Sequence, residues 1–256
     1  MHWDPQQYTR YADERGRPFL DLVARVGASA PRRVVDVGCG PGALTALLAQ
    51  RWPAALVEGI DSSPDMIDAA GPLRSVRLSF RVADAAQWEP PADLDVIISN
   101  ATLQWVPDHF PVVERWAEAL PPGGWLAVQV PGNFGSPSHT LMRELAESAR
   151  WRSVLGGVLR HQDAVGTPEQ YAALLLGCGL AVDVWETTYL HVLSGADPVL
   201  EWVRGTGLRP VLAALSPADQ AAFEAEYAAA LRDAYPQTEQ GTLFPFRRIF
   251  AVAERP

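Results

Sequence analysis

Short runs of apolar residues recur along the first half of the chain, each bounded by glycine, proline or aspartate. They cover residues 33–37, 56–60, 78–82, 94–99 and 125–130. Apolar runs of this length between turn residues are typical of buried strands. Helix-like patterns fill the gaps at residues 43–51, 64–70 and 110–120. Strands that alternate with helices predict an α/β fold with a mostly parallel sheet and right-handed crossovers.

The rhythm of the pattern changes after residue 130. We predict helices over 138–150, 168–178, 198–204 and 217–232, and strands over 181–192 and 248–253. No repeat or linker-like run divides the chain. We therefore expect one domain of residues 1–256, in which about 1–30 form a helical lid, about 31–194 with 242–256 form the core, and about 195–241 form a helical cap insertion.

Composition narrows the classes of partner. The 256 residues carry a formal charge of −9, which disfavours the broad phosphate contacts of nucleic-acid binders. Arginines nevertheless cluster locally, as in Arg15 with Arg17 and Arg247 with Arg248, so the pattern allows sites for small anions. We expect a small-molecule partner and no nucleic acid, and the oligomeric state stays open, with a monomer plausible.

The sequence also limits compartment and cofactor type. It has two cysteines, and its first residues do not show the basic residues followed by an apolar run that are typical of a signal peptide. We therefore expect a reducing, cytoplasmic environment. No apolar stretch approaches the roughly 18 residues of a spanning helix, so we expect no membrane role. The five histidines and two cysteines show no metal-ligand spacing, and we predict no metal.

A glycine-rich segment follows the first predicted strand, where Val34–Val37 leads into Gly38, Gly40 and Gly42 at the start of a predicted helix. Glycines at such a junction let a ligand approach the backbone and the helix N–H groups closely. Dinucleotide folds usually have the spacing G-x-G-x-x-G, whereas here it is G-x-G-x-G and Pro41 removes one donor. The pattern predicts a nucleotide-like ligand and disfavours NAD.

Two acidic residues follow the next two strands. Asp61 lies 19 residues after Gly42, where a carboxylate can accept hydrogen bonds from both ribose hydroxyls. Asp84 is placed to accept a hydrogen bond from an adenine amino group. A turn for the glycines, a helix cap for Asp61 and an Asx turn for Asp84 are the structural alternatives. The three features together, in order and at strand ends, favour a bound nucleoside.

With these residues in place, followed by Leu120-Pro121-Pro122-Gly123-Gly124 before a strand, the chain resembles the class I S-adenosylmethionine-dependent methyltransferases. The resemblance implies a Rossmann-like, seven-stranded sheet whose last strand is antiparallel, with S-adenosylmethionine as cofactor and S-adenosylhomocysteine as product. The cofactor-binding residues it implies are Asp36, Gly38, Cys39, Gly40, Gly42, Asp61, Ser62, Met66, Asp84, Ala85 and Asn100. Asp36 either orients the loop or contacts the methionyl amine, and Cys39 is interpreted as an inert spacer.

Further motifs resemble the trans-aconitate 2-methyltransferase family. These are Trp3-Asp4-Pro5-x-x-Tyr8, Glu14-Arg15-x-Arg17-Pro18, Asn100-Ala101-x-Leu103-Gln104-Trp105, and Thr206-Gly207-Leu208-Arg209-Pro210. The resemblance implies a carboxyl O-methyltransferase that esterifies trans-aconitate or a closely related small polycarboxylic acid. Because a carboxylate is already ionised at neutral pH, we expect no catalytic general base.

Arginine forks and neutral donors suit the acid's other carboxylates. The substrate-binding residues that the resemblance implies are Tyr8, Arg17, Asn100, Gln104, Trp105, His191, Trp202, Arg209 and Arg248. Three of these residues have structural alternatives. Arg209 could instead cap a helix end or pair with Glu201. Arg17 could be a solvated residue of the first helix, and His191 could be a structural histidine. His109 is expected to cap or solvate the helix that follows it.

Other functions remain open at this point. The same cofactor site serves methyltransferases for an isopropylmalate-like acid, a quinone or an amine. An NAD-dependent oxidoreductase and a non-catalytic nucleotide sensor are the alternatives of different chemistry.

Overall fold

The computed structural model describes residues 12–159 and 164–256, with side chains from Gly16 onwards. Two compact units divide the chain. The first comprises the described residues up to Pro131 together with Val165–Thr187 and Arg248–Pro256, and the second comprises Gly132–Ala164 and Thr188–Arg247. The second unit therefore contains the expected cap segment within a larger set of residues, and the role of that segment as a cap stays a prediction.

Within residues 12–159 and 164–256, eight strands form one sheet in the order β3-β2-β1-β4-β5-β8-β6, with β7 paired to β8. The strands are β1 Arg33–Val37, β2 Leu56–Asp61, β3 Leu78–Val82, β4 Val96–Asn100, β5 Trp125–Pro131, β6 Ala181–Leu193, β7 Gln237–Thr238 and β8 Gly241–Glu254. The pairs from β3 through β5 are parallel, and β8 runs antiparallel to β5. This confirms the predicted Rossmann-like α/β class and its antiparallel last strand.

The expected number of seven strands was wrong by one. The extra strand, β7, has two residues and forms because a tight turn brings Thr238 opposite Gly241 at the start of β8. The last strand also begins at Gly241 and not at residue 248. Its early part contains Pro245, and a proline normally argues against a strand.

The helices follow the predicted alternation. They are α1 Ala12–Ala24, α2 Ala43–Arg51, α3 Pro64–Ala70, α4 Phe110–Glu118, α5 Pro137–Ala146, α6 Arg152–Leu155, α7 Pro168–Gly177, α8 Pro198–Arg204, α9 Arg209–Ala214 and α10 Pro217–Ala234. Single 3₁₀ turns lie at Gly71–Leu73 and Leu103–Trp105. The short α6 and α9 were not predicted, and α5 ends at Ala146, before the predicted boundary. None of these described helices has the length and apolar character to cross a membrane.

Side chains on the two faces of the first unit's sheet pack under different helices. On one face Val35, Ile97 and Val128 join a buried cluster with Trp116 of α4 and Tyr171 of α7. On the opposite face Thr45 of α2 meets Asp36, and Gly27, just after α1, lies against the ring of Trp125. Because β1 to β4 are parallel, the loops at their carboxyl ends meet at one edge of the sheet.

Candidate functional site

The glycine-rich segment forms a tight loop between β1 and α2. The backbone N–H groups of Gly38 and Cys39 donate to the Ile60 carbonyl at 2.7 and 3.0 Å, which ties the loop to β2. Gly38 and Gly40 have φ of 80° and 54°, in the left-handed region that favours glycine. A Cβ on Gly38 would lie 1.9 Å from Thr102 Oγ1, whereas one on Gly40 would meet nothing within 4 Å. Packing therefore strongly disfavours a side chain at Gly38, while Gly40 borders open space.

Asp61 links this loop to the end of β2. Its Oδ2 accepts from the Gly40 N–H at 3.0 Å, and its Oδ1 accepts from the Ser63 N–H at 2.8 Å. Burial raises the pKa of the carboxyl, and the backbone hydrogen bonds of Ser63, Gly40 and Ser62 oppose that rise. Each carboxylate oxygen keeps a further acceptor position, so the group can still accept ribose hydroxyls.

Asp84 follows β3 on the same edge. Its Oδ1 accepts from the Ala86 N–H at 2.9 Å, which is the Asx turn weighed from the sequence. The carboxylate is exposed and lines the same cleft as Gly40 and Asp61. The turn holds the carboxylate in place, so the structural and ligand-binding interpretations of Asp84 are compatible.

One cleft of about 260 Å³ collects these residues, all within the first unit. It is lined by Gly38, Gly40, Asp61, Ser62, Met66, Ala83, Asp84, Ala85, Ala101, Thr102, Trp105 and Val106. Eight of these were predicted from the sequence, and Ala83, Ala101, Thr102 and Val106 were not. Ala101 has φ 53°, an unusual backbone conformation for a residue with a side chain, at the wall of the cleft.

The chemistry of the cleft fits a nucleoside. Asp61 and Asp84 place two carboxylates in the cleft that can accept hydrogen bonds from hydroxyl or amino groups, and the loop at Gly40 leaves room for close approach to the backbone. Met66 and Val106 supply apolar surface beside them, as ligand sites usually combine a few polar groups with apolar walls. Among the described residues no group of three or more His, Cys, Asp or Glu side chains is arranged to hold a metal.

The side chains of Asp36, near the end of β1, and Cys39, within the loop, are buried and outside the set that lines the cleft. Thr45 Oγ1 donates to Asp36 Oδ2 at 2.6 Å. Burial raises the pKa of Asp36 to about 7, the Thr45 hydrogen bond opposes this, and the nearby charge of Asp61 adds to it. Burial also raises the pKa of the Cys39 thiol, so the thiol stays protonated and agrees with an inert spacer. Gly42 likewise packs against Phe80 and does not line the cleft.

Amide side chains gather at the carboxyl ends of β4 and β5. Gln104 Nε2 donates to the Ala101 carbonyl at 2.6 Å. The oxygens Asn100 Oδ1 and Gln104 Oε1, and both amide atoms of Gln129, are buried with no hydrogen-bond partner in the described part of the chain. Sequence reasoning missed Gln129, although a polar residue inside the apolar run of β5 was a signal that could have found it.

The remaining predicted substrate residues fall in several places. Arg17 is exposed on α1, Arg248 is 6% exposed on β8, and Tyr8 lies outside the described residues. In the second unit, His191 stacks on Trp202 with ring centroids 4.8 Å apart. Trp202 is buried there beside Phe244 and Phe246, and Arg209 begins α9. Glu201, weighed as a partner of Arg209, forms an ion pair with Arg204.

The expectation for His109 was wrong. His109 occupies the N-cap position of α4, but its side chain makes no capping hydrogen bond and is 3% exposed. Its Nε2 lies 2.7 Å from the Tyr171 hydroxyl, and its ring stacks on Phe110 and Tyr171. Burial lowers the pKa of His109, against the effects of the Val106 backbone and Asp108. The residue is a neutral, structural histidine.

Comparisons with known proteins identify the family of the chain. A family model described as "Methyltransferase domain" matches residues 8–183. A protein named trans-aconitate 2-methyltransferase from Streptomyces avermitilis is 58% identical over 99% of this chain and 97% of its own length. Among solved structures, the YcgJ protein from Bacillus subtilis has a TM-score of 0.62 at 17% identity, covering 93% of this chain and 98% of its own.

A second solved structure, phosphoethanolamine N-methyltransferase 2 from Haemonchus contortus, has a TM-score of 0.56 at 18% identity. The match covers 94% of this chain and 52% of that larger one. At these identities the structural likeness speaks for the fold alone, whereas the full-length sequence relative is far more specific. The chain belongs to the methyltransferase domain family and, within it, to the trans-aconitate 2-methyltransferases.

Proposed function

We propose that the protein is an S-adenosylmethionine-dependent carboxyl O-methyltransferase that forms the monomethyl ester of trans-aconitate or a closely related small polycarboxylic acid. The observation that carries the cofactor assignment is the meeting of Gly40, Asp61 and Asp84 in one cleft. The acceptor assignment is supported by full-length similarity to proteins of that name. We keep the expectation of a cytoplasmic location from the sequence.

When bound, S-adenosylmethionine supplies an electrophilic methyl group on a sulfonium. We assign the ribose hydroxyls to Asp61, whose carboxylate is already held by the N–H groups of Gly40 and Ser63. Because these backbone bonds fix the carboxylate before binding, little side-chain entropy is lost when the ligand arrives. Asp84, held by its own turn, is the acceptor assigned to the adenine amino group.

The reaction needs no general base, because the attacking carboxylate oxygen is ionised at neutral pH. The work left to the protein is to hold the oxygen in line with the methyl carbon at about 3 to 3.5 Å and to exclude water. We assign the acceptor end to Asn100, the last residue of β4, and to Gln104 and Trp105 in the turn that follows it, beside the cleft wall at Ala101. Arg17, Arg209 and Arg248, with Tyr8, His191 and Trp202, remain proposed for the acid on the strength of the sequence motifs.

Transfer of a labelled methyl group from S-adenosylmethionine to a panel of organic acids tests the proposal. We expect trans-aconitate or a close relative to be the preferred acceptor, and a quinone, an amine or isopropylmalate to be poor ones. Preference for one of those acceptors, or no transfer with tight binding of S-adenosylhomocysteine, would refute the acceptor assignment. Preferential binding of NAD in calorimetry would refute the cofactor assignment.

Arg209→Ala tests the role of a cation in holding the acid. Hydrogen bonds to charged groups contribute about 1.5–3 kcal/mol each, so we expect the KM for the acid to rise roughly 10- to 100-fold. Arg77→Ala is a matched control, because Arg77 is exposed and donates to the Ala54 carbonyl at 2.7 Å, away from the cleft. An unchanged KM in the Arg209 variant would reject its role.

A further inference from the structure

Gln129 occupies an unusual place in the first unit, because it is an amide inside an otherwise apolar strand. The side chain is 0% exposed on β5, between Val128 and Val130. Both Nε2 and Oε1 are buried and find no hydrogen-bond partner within the part of the chain described here. Buried polar groups in native proteins are nearly always paired, so a fully orphaned amide calls for a missing partner.

The strand register shows what surrounds this amide. Gln129 pairs with Asn100 of β4 on one side and with Phe250 of β8 on the other. Residues paired in register share a face of the sheet, as do residues two apart on one strand. Asn100 therefore lies on the same face as Gln129, and so does Arg248, which is paired with Pro131 and is 6% exposed.

This face carries the amides of Asn100 and Gln129 near the carboxyl ends of β4 and β5, and it also carries Arg248 in the middle of the antiparallel strand β8. Asn100 repeats the signature of Gln129, since its Oδ1 is also buried and without a partner among the described residues. Gln129 is also tied to the cofactor cleft, because its carbonyl accepts the N–H of Ala101 at 2.9 Å and Ala101 lines the cleft. The orphaned amide is thus one strand beyond the wall of that cleft.

We propose that Gln129 is a specificity-determining residue whose side-chain N–H donates a hydrogen bond to a carboxylate of the acceptor acid. This inference rests on the proposed function and adds a residue to the same site. A neutral amide suits this position, because it orients a carboxylate without a full positive charge that would reduce its nucleophilicity. The charge-bearing contacts are then left to arginines such as Arg248.

Gln129→Leu tests the proposal, with Gln50→Leu on the exposed side of α2 as the matched control. We expect the KM for the acid to rise about 10- to 100-fold in the Gln129 variant, as for loss of one bond to a charged group. The dissociation constant of S-adenosylhomocysteine should stay within about twofold. The unfolding midpoint should be unchanged or higher, because leucine is apolar and of similar size and so replaces two buried polar atoms that have no hydrogen-bond partner among the described residues.

Gln129→Glu supplies a second readout that a merely structural role would not move. The introduced carboxylate repels an acidic substrate at neutral pH, so kcat/KM should fall further than in the leucine variant. Activity relative to the unsubstituted protein should then recover as the pH falls and the introduced group becomes protonated. Gln50→Glu should show no such recovery.

The outcomes separate the two proposals. If the unsubstituted protein methylates an acid and Gln129→Leu has an unchanged KM, the inference is wrong and the proposed function stands. Equal losses of acid and S-adenosylhomocysteine affinity would also overturn it, because they indicate a general structural role. If the unsubstituted protein methylates no acid, both proposals fail.

Discussion

In the β1–α2 loop, substitution by alanine is expected to reduce mainly stability at Gly38 and mainly ligand affinity at Gly40. Both Gly38 and Gly40 have positive φ, so an alanine at either position meets a similar backbone strain of roughly 1–2 kcal/mol. Their surroundings differ. At Gly38 the new Cβ would lie 1.9, 2.4 and 2.6 Å from the Oγ1, Cγ2 and Cβ of Thr102, whereas at Gly40 no atom lies within 4 Å.

The magnitudes follow from this difference. One of these contacts is with the Cβ of Thr102, which side-chain rotation cannot move, so the backbone must shift. Overpacking of this kind costs about 1–3 kcal/mol. Gly38→Ala should therefore lose about 2–5 kcal/mol of unfolding free energy, a large share of the roughly 5–15 kcal/mol of a typical domain. Gly40→Ala should lose only the strain of about 1–2 kcal/mol.

Ligand affinity should show the reverse order: when both variants are compared under conditions where they are equally folded, Gly40→Ala should bind the ligand more weakly than Gly38→Ala. Gly40 lines the cleft, so its new methyl group would occupy space where a ligand approaches the loop. We expect Gly40→Ala to weaken S-adenosylhomocysteine binding about 10-fold or more, in line with unfavourable packing of at least 1.4 kcal/mol. Urea unfolding measures the stability of each variant, and calorimetry measures the affinity.

The reasoning includes an internal control. Thr102→Gly removes every atom that the Gly38 Cβ would meet most closely, so the double variant Gly38→Ala/Thr102→Gly should recover part of the stability lost by Gly38→Ala relative to Thr102→Gly alone. Equal destabilisation by the two alanine variants would refute the packing argument. Unchanged affinity in Gly40→Ala would refute the placement of the ligand against the loop.

Two further predictions concern buried titratable groups outside the cleft lining. Tyr171→Phe should cost about 1–3 kcal/mol in urea unfolding, because it leaves the buried Nε2 of His109 without the hydroxyl 2.7 Å away; a change below about 0.5 kcal/mol would contradict this. Burial raises the pKa of Asp36 from 3.8 to about 7, so the folded state binds the carboxyl proton more tightly than the unfolded state does. The stability that this protonated carboxyl contributes is therefore lost as the pH rises from about 4 to about 7. Asp36→Asn keeps an acceptor for Thr45 and removes this titration, so the unfolding midpoint of the variant relative to the unsubstituted protein should rise from pH 5 to pH 8. A difference that does not change with pH would show that the Asp36 pKa is close to its usual value.

The fold of the first unit followed from local patterns. The strands β1 and β3 and the helices α2 and α3 have the predicted ends, because short apolar runs and clear turn residues mark both boundaries. Long-range pairing left weaker signals. β7 exists only because Thr238 turns back onto Gly241, and β8 runs through Pro245, so neither was visible in a local window.

The site shows the same limit at the level of single residues. The placement of Asp61 and Asp84 in one cleft was predictable, because parallel strands bring their carboxyl ends together. Thr102 was not, since its role is to fill the space beside Gly38, which is 64 residues away in the chain. The burial of His109 likewise depends on Tyr171 of a later helix.

Gln129 and Asn100 show why burial must be combined with pairing before a polar residue can be interpreted. In the sequence, Asn100 stood out through its motif, whereas Gln129 is one polar letter in an apolar run. Only the strand register places them side by side. Only the absence of hydrogen-bond partners among the described residues distinguishes these amides from core amides whose hydrogen bonds are satisfied. If the acceptor acid forms hydrogen bonds with these amides, the residues that select the substrate come from strands whose sequences look purely structural. Specificity within this family would then be read more reliably from buried, unsatisfied polar atoms than from the motifs that identify the cofactor site.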